Sequence, residues 1–472
     1  MTVPSSAAPE AHTIPNGDVS WWWRDLGGLP TPRPPLPGDA DADVAIVGAG
    51  YTGLWTAYYL KRAQPDLRVV VLEQRFAGFG ASGRNGGWLT NTVTGGRERY
   101  AETHGREAAI AQQRALNETV DEVIAVATRE GIDADIVKGG EFGVARTPAQ
   151  LARLRASAEA EQSWPHTDAE VWDAEAAASR IRIAGALGAV WHPHCARIHP
   201  ARLVRGLAEA VERLGVTIYE QTHVREISAG RAVTDRGTVR ATHVLRATEG
   251  FTADLRGEHR TWLPMNSSMI VTEPLPADFW DAVGWGARDT LGDFAHVYMY
   301  AQRTADDRIA FGGRGVPYRY GSRVDTDGAT QERTIRSLTH LLHDFFPDAA
   351  ATPIAHAWAG VLGVPRDWAA TVVHDRSTGL GWAGGYVGTG VTATNLAGRT
   401  LADLVLERDT ELTRLPWVVG HRAKRWEIEP LRWTAVSAIY TAYRMADRSE
   451  ASGSSARTAW PAHVADWVAG RH

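Results

Sequence analysis

One hexad, Gly48-Ala49-Gly50-Tyr51-Thr52-Gly53, constrains this chain more than any other stretch, because three glycines at this spacing suit one kind of turn. The apolar run Val44, Ala45, Ile46, Val47 precedes it, as expected of a strand buried on both faces of a parallel sheet. A helical stretch follows to about Gln64, where Pro65 stops it, and a second apolar run from Val69 to Leu72 ends at Glu73. Strand, glycine turn, helix and strand make a βαβ unit. In such a unit the first glycine makes the tight turn, the second lets a pyrophosphate approach the backbone, and the third lets helix pack on strand. The helix N-terminus offers amides and partial positive charge to the phosphates. Glu73, twenty residues beyond Gly53, can accept hydrogen bonds from a ribose diol. The motif predicts a dinucleotide site and leaves FAD and NAD(P) both open.

A chain of 472 residues, 44% hydrophobic and 22% charged, reads as an ordinary globular protein of two or three domains. Its net charge of -5 argues against a nucleic-acid or anionic-membrane partner. A single cysteine, Cys195, excludes an intramolecular disulfide framework and any cysteine-cluster metal site. The N-terminus lacks the apolar core of a secretory signal and no apolar run is long enough to span a bilayer, so the expected location is cytoplasmic. Residues 1–41 read as a poorly structured lead-in whose Trp21, Trp22, Trp23 cluster packs back on its own domain rather than forming a docking patch.

Further on, polar helices are expected over Arg99 to Arg129 and Ala149 to Gln162. Between Pro200 and Leu214 an apolar face built from Leu203, Val204, Leu207 and Val211 predicts an amphipathic helix closed by Gly215. Strand-like segments stand at Gly139 to Ala145, Val216 to Glu220 and His243 to Ala247, with turns at Thr304 to Asp307 and Gly312 to Gly315. The last organised unit is a strand from Leu380 to Gly384, a glycine-rich loop to Gly390, and a helix to about Leu406. The tail after Arg448 reads as a flexible end.

A second glycine cluster decides the cofactor. Gly78 to Gly87 reads GFGASGRNGG and begins five residues after Glu73, where a nicotinamide enzyme usually continues into another helix. With it, the stretches DVAIVGAGYTGLWTAYYL (43–60), ARIHPARLVRGLAEA (196–210), LRATEGF (245–251), FGGRG (311–315), GGYVGTGVTATNLAGRTLADL (384–404) and WEIEPLRW (426–433) stand in order. Over roughly residues 20–445 the chain resembles the D-amino-acid-oxidase-like family of FAD-dependent oxidoreductases, in the branch of gamma-glutamylputrescine oxidoreductases and related amine oxidases.

That resemblance implies an α/β chain in which a Rossmann-like FAD-binding domain (42–97, 195–256 and 365–410) is interleaved with a sheet-containing α+β substrate domain (98–194 and 257–364). C-terminal helices and the tail would take up 411–472. It implies noncovalent FAD, because Asn85 and glycines stand where some relatives carry an attaching His, and no C-terminal Cys exists. It places Ser82, Gly83 and Arg84 near the pyrophosphate, Asn85, Gly86, Gly87 and Trp88 beside the isoalloxazine, and the Val224 backbone against the adenine. Gln74, Arg75, Ala81, Thr248 and Gly250 join the expected cofactor contacts. So does the loop Gly385, Gly388, Thr389, Gly390, Val391, Thr392, where a helix N-terminus stabilises charge on reduced flavin.

The implied reaction is oxidation of a small amine to an imine by hydride transfer to flavin N5, followed by hydrolysis, with O₂ giving hydrogen peroxide. An N-alkylated amino acid or aminophosphonate oxidised with another electron acceptor is the alternative. On the substrate side, Tyr298 and Tyr300 lie two apart on an expected strand and so face one way. Phe311, Trp358 and Trp88 could complete an aromatic cage around an amine, with core packing as the competing reading of each. Arg314 reads either as a partner for a substrate carboxylate or phosphoryl group or as a surface turn arginine.

Only three lysines occur, Lys61, Lys138 and Lys424. Relatives resembling sarcosine oxidase use a lysine near the flavin to activate oxygen, and the substrate segments hold only Lys138, so O₂ and another acceptor both stay open. His192, His194, Cys195 and His199 mimic a metal cluster but lack a second ligand group at standard spacing, so no metal is expected. Oligomeric state is left open.

Overall fold

The computed structural model describes residues 14–324, 327–420 and 424–469. The apolar runs become the centre of an eight-stranded sheet. Its parallel strands lie in the order Leu380–Gly384, Thr238–Arg246, Ala40–Val47, Val69–Leu72, Thr217–Tyr219, with Ile46 level with both Val71 and Leu245. Thr371–Asp375 borders this sheet antiparallel to Leu380–Gly384, and a hairpin of Val224–Ser228 and Arg231–Thr234 hangs from Thr238–Arg246. Val44, Ala45 and Ile46 are fully buried, as strands covered on both faces require.

The second eight-stranded sheet is mostly antiparallel and runs Ile354–Pro365, Trp262–Thr272, Ile309–Gly313, Met299–Arg303, Thr290–Asp293, Glu141–Ala145, Gly188–His192, Glu170–Asp173. A short ribbon, Trp88–Thr90 with Cys195–Arg197, lies apart from both sheets.

The helices end where local chemistry ends them. Pro200 opens the Pro200–Arg213 helix, His199 caps it by accepting from the Arg202 amide at 3.2 Å, and Gly215 follows at φ +86°. The expected long helix from Arg99 is instead two, Arg97–His104 and Arg106–Glu130, because Gly105 at φ +86° breaks the ladder. Gly312 and Gly313 are strand rather than turn.

Both chain ends differ from expectation. The arm from residue 14 onward is packed, with the Trp21–Asp25 helix burying Trp21, Trp22 and Trp23 to 5%, 1% and 1% exposure. The segment beyond Arg448 completes the Leu431–Ser452 helix and forms another, Trp460–Ala469, joined by a core of Tyr443, Ala446, Ala462 and Ala465. Residues 1–13 of the lead-in and 470–472 of the tail lie outside the described residues. No helix among the described residues is long and apolar enough to cross a membrane.

The contact that positions the site joins the Tyr51–Ala63 helix to the Gly390–Val405 helix. Gly398 allows it: a Cβ there would lie 2.7 Å from Trp55 Cβ and 2.8 Å from the Thr56 amide. Gly398→Ala should lower folding stability by about 1–3 kcal/mol through overpacking, read from urea unfolding midpoints.

Candidate functional site

Two glycine-rich turns far apart in sequence open onto one cleft. The Tyr51–Ala63 helix begins at Gly50 and the Gly390–Val405 helix at Thr389, neither with a side-chain cap. First-turn amides have no intrahelical acceptor, so both helices leave donors at their N-terminal ends. Gly48, Gly50, Tyr51 and Thr52 line the cleft from the first turn and its helix, and Gly388, Gly390, Val391 and Thr394 from the second. Between them lie Glu73, Gln74, Ala81, Ser82, Asn85, Val224 and Thr248. Gly48 adopts φ +106° against the Ala247 carbonyl, where a Cβ would sit at 2.5 Å. The Ser82 hydroxyl accepts from the Tyr51 amide at 2.8 Å, tying the second glycine cluster to the first helix.

Several expected contacts lie behind the cleft wall. A Cβ on Gly53 would meet the Gly48 carbonyl at 2.0 Å, which is the strand contact a third glycine serves. Gly250 packs on Val361, Gly87 on Ile198 and Gln302, and the Gly385 amide donates to Glu249 at 2.7 Å. Thr392 is buried inside its helix, with a hydroxyl that has no partner. Arg75 lies over the Phe79 ring at 4.9 Å rather than along the cleft. Arg84 is also placed differently from the pyrophosphate position expected. Its Nε donates to the Phe79 carbonyl at 2.7 Å and its guanidinium lies over that ring at 4.4 Å, which holds the side chain away from the cleft.

Beside the cleft opens a chamber of about 750 Å³, and Ala81, Asn85, Leu362, Gly388 and Val391 line both. Trp88, Tyr298, Tyr300, Arg314, Arg84, Gly86 and Thr389 line the chamber. Trp88 and Tyr300 meet edge to face with centroids 6.4 Å apart. The Tyr300 hydroxyl shares a hydrogen bond with Ser267 at 2.8 Å, and burial pushes its pKa up to about 12, so it keeps its proton. Arg314 Nη2 donates to the Tyr298 hydroxyl at 3.0 Å, while its buried Nη1 has no partner. Among the described residues no carboxylate forms an ion pair with Arg314.

Phe311 and Trp358 do not reach the chamber. Phe311 pairs with Ala301 while Tyr300 pairs with Gly312, so Phe311 points to the opposite face and packs on Phe345. Trp358 shares the Tyr300 face, but the Gly83 to Gly87 turn covers it, and its indole N–H donates to the Arg84 carbonyl at 2.9 Å.

Polar residues that sequence reasoning missed complete the walls. Glu141 accepts from Thr90 at 2.7 Å and lies 3.5 Å from His192. Asp293, pushed up to about 7 by burial and by the Asp447 charge, accepts from the Met299 amide. Glu249 lies between Thr248 and Gly250, both expected cofactor contacts. Its carboxylate accepts from the Gly363 and Gly385 amides, both at 2.7 Å, so it pins the C-terminal glycine loop to the long strand. Its backbone φ of 41° is a signal visible only in three dimensions.

The histidines of the apparent metal cluster go separate ways: His194 pairs with Asp168 at 2.6 Å and His199 with Asp25 at 3.2 Å. Cys195 is buried beside Thr290. Lys138 pairs with Asp121 at 2.5 Å and lies outside the chamber.

This geometry coincides with a family match. Residues 43–404 match the FAD dependent oxidoreductase family abbreviated DAO, and the chain belongs to it. It is 31% identical over 424 residues to gamma-glutamylputrescine oxidoreductase of Escherichia coli (strain K12), covering 86% of this chain and 93% of that protein. Glycine oxidase of Geobacillus kaustophilus (strain HTA426) is 26% identical over 391 residues, with 79% and 96% covered. The solved glycine oxidase structure from Geobacillus kaustophilus superposes with a TM-score of 0.66 at 20% identity, over 79% of this chain and 96% of that one. L-proline dehydrogenase from P. horikoshii does so at 0.66 and 17% identity, over 80% and 96%.

The cleft fits the family's cofactor. Two helix N-termini whose N-cap residues supply no side-chain cap suit its anionic groups, the Gly48 turn leaves the backbone open to close approach, and the Glu73 carboxyl lines the same cleft. Burial pushes the carboxyls of Glu73 and Glu249 from the ordinary 4.5 to about 7, the Glu220 charge adding to the first. A carboxyl raised in the folded state contributes stability that is present below pH 4.5 and lost as pH rises through about 7. Glu249→Gln should therefore make the pH 5 to 8 decline in apoprotein stability shallower, measured by urea unfolding at several pH values.

Proposed function

We propose that this FAD-dependent oxidoreductase oxidises the C–N bond of a small amine that also carries an anionic group. Its substrates would be N-alkylated or primary amino acids, or aminophosphonates. The observation that carries this reading is the Arg314 guanidinium, which faces the chamber with a buried Nη1 and no acidic partner among the described residues. A buried charge left unpaired is costly, and an anion presenting two oxygens to the fork would offset that cost. The relatives support the class: gamma-glutamylputrescine oxidoreductase and glycine oxidase are both named for amines or amino acids.

Residues 42–97, 195–256 and 365–410 would form the cofactor domain and residues 98–194 and 257–364 the substrate domain, in keeping with the strands that each sheet draws on. Bound in the cleft, FAD would supply the two-electron acceptor for the hydride on the carbon next to nitrogen. Gly48, Gly50 and Thr52 would hold its phosphates, Glu73 its ribose, and the Gly388 to Val391 segment the flavin end. In the chamber Arg314 and the Tyr298 hydroxyl would fix the substrate's anion, and Trp88 with Tyr300 would wall the amine and exclude water. Tyr300 holds its proton on the hydroxyl bonded to Ser267, so it orients rather than abstracts. The amine would react unprotonated, and the imine formed would take up water to give a carbonyl compound and ammonia or a smaller amine. O₂, reduced to hydrogen peroxide, is the acceptor in this reading.

Arg314→Met should raise KM for anionic amines roughly 10- to 100-fold and leave neutral amines little changed. Equal effects on both would contradict the role given to Arg314. A panel of amines scored anaerobically by loss of flavin colour, then exposed to air, identifies the substrate class. Slow recolouring in air would point to another electron acceptor.

A further inference from the structure

The turn from Gly83 to Gly87 separates the cofactor cleft from the chamber, and Asn85 lines both. Its five successive carbonyls each receive a hydrogen bond from elsewhere in the chain. Ser20 Oγ donates to Gly83 O at 2.7 Å, Trp358 Nε1 to Arg84 O at 2.9 Å, and Trp22 Nε1 to Asn85 O at 2.9 Å. Gln302 Nε2 donates to Gly86 O at 2.9 Å and the Ile198 amide to Gly87 O at 2.8 Å. None of these donors lines the cleft or the chamber, so every carbonyl is drawn away from the cavities.

Two of the five donors come from the N-terminal arm. That arm is itself fastened: the Gly17 amide donates to Ala357 O at 3.0 Å, the Ala357 amide to Pro15 O at 2.9 Å, and Asp25 meets His199 at 3.2 Å. Trp22 stands edge-on to Trp358 with centroids 5.9 Å apart, so the two indoles that hold neighbouring carbonyls also brace each other. Trp23 fills the remaining space: a Cβ on Gly83 would lie 2.6 Å from its Nε1.

We infer that the arm is a back wall that sets the shape of the Gly83 to Gly87 turn, with Ser20, Trp22 and Trp358 as positioning residues for the bound FAD. A buried carbonyl that loses its donor bears the full cost of desolvation, and the turn would rotate to find water or another donor. Rotation of Asn85 or Gly86 moves the wall shared by the cofactor and the substrate. The inference rests on FAD occupying the cleft.

Trp22→Phe and Trp358→Phe each remove one N–H and keep an aromatic ring, whereas Trp21 makes no hydrogen bond to the turn and Trp21→Phe serves as control. FAD affinity is read by fluorescence titration of apoprotein, the flavin environment by visible circular dichroism, and apoprotein stability by urea unfolding. Trp22→Phe and Trp358→Phe should each weaken FAD binding about tenfold and alter the flavin dichroism, with Trp21→Phe close to wild type. If Trp22→Phe does not fold, Ser20→Ala, which deletes a single hydroxyl, should show the same two changes. Lower apoprotein stability with wild-type FAD affinity and dichroism would reduce the arm to a structural role and overturn the inference. Wild-type protein that takes up no FAD would overturn the cofactor assignment as well, which separates the two failures.

Discussion

The close approach of two helices governs this structure. The Tyr51–Ala63 and Gly390–Val405 helices start more than three hundred residues apart, yet their N-terminal ends line one cleft. Backbone contact at Gly398, where no side chain stands between the helices, sets how near those ends can come. Each end alone would be an ordinary anion-attracting helix terminus. Facing a common space, they line a single cleft from two separate parts of the chain. The parallel sheet beneath supplies the strand ends from which both turns rise.

The chamber is built by a different principle. Antiparallel register places Tyr300 opposite Gly312, and the missing side chain at Gly312 leaves room for the Tyr300 ring: a Cβ there would lie 2.3 Å from it. Gly86 stands under the same ring, with a Cβ position 2.7 Å away. Glycines on two separate elements thus seat one aromatic side chain, and Trp88 and Arg314 complete the wall around it. The chamber's charge is mixed, with Arg314, Glu141, His192 and Asp293 all on its walls. Such a lining favours a polar substrate over a purely hydrocarbon one.

What was legible in the sequence was local geometry. Gly48 needs φ +106° and Gly388 φ +107°, and residues that tolerate such angles announce themselves in one dimension. The strand runs from Val44 and Val69, the Pro200 helix and its Gly215 stop were readable for the same reason. Face and depth were less so. Phe311 and Tyr300 lie on neighbouring strands, and only the pairing register reveals that they point in opposite directions. Trp358 lies on the Tyr300 face and is hidden by a turn from another part of the chain. Glu249 gave no signal because its work is done through amides of Gly363 and Gly385, more than a hundred residues away. The inward packing of the N-terminal tryptophans follows from their apolar bulk, whereas the order of the arm that carries them depends on a strand near residue 357 that nothing local signals.

The central claim is that both glycine-rich turns grip one FAD molecule. Amide hydrogen exchange read by mass spectrometry, on apoprotein and after FAD addition, tests it directly. Slowed exchange appearing together in residues 48–53 and 385–392, saturating at one FAD per chain, is the predicted result. Protection confined to the first of these segments would mean that the second turn holds nothing, and the account of the site would fail.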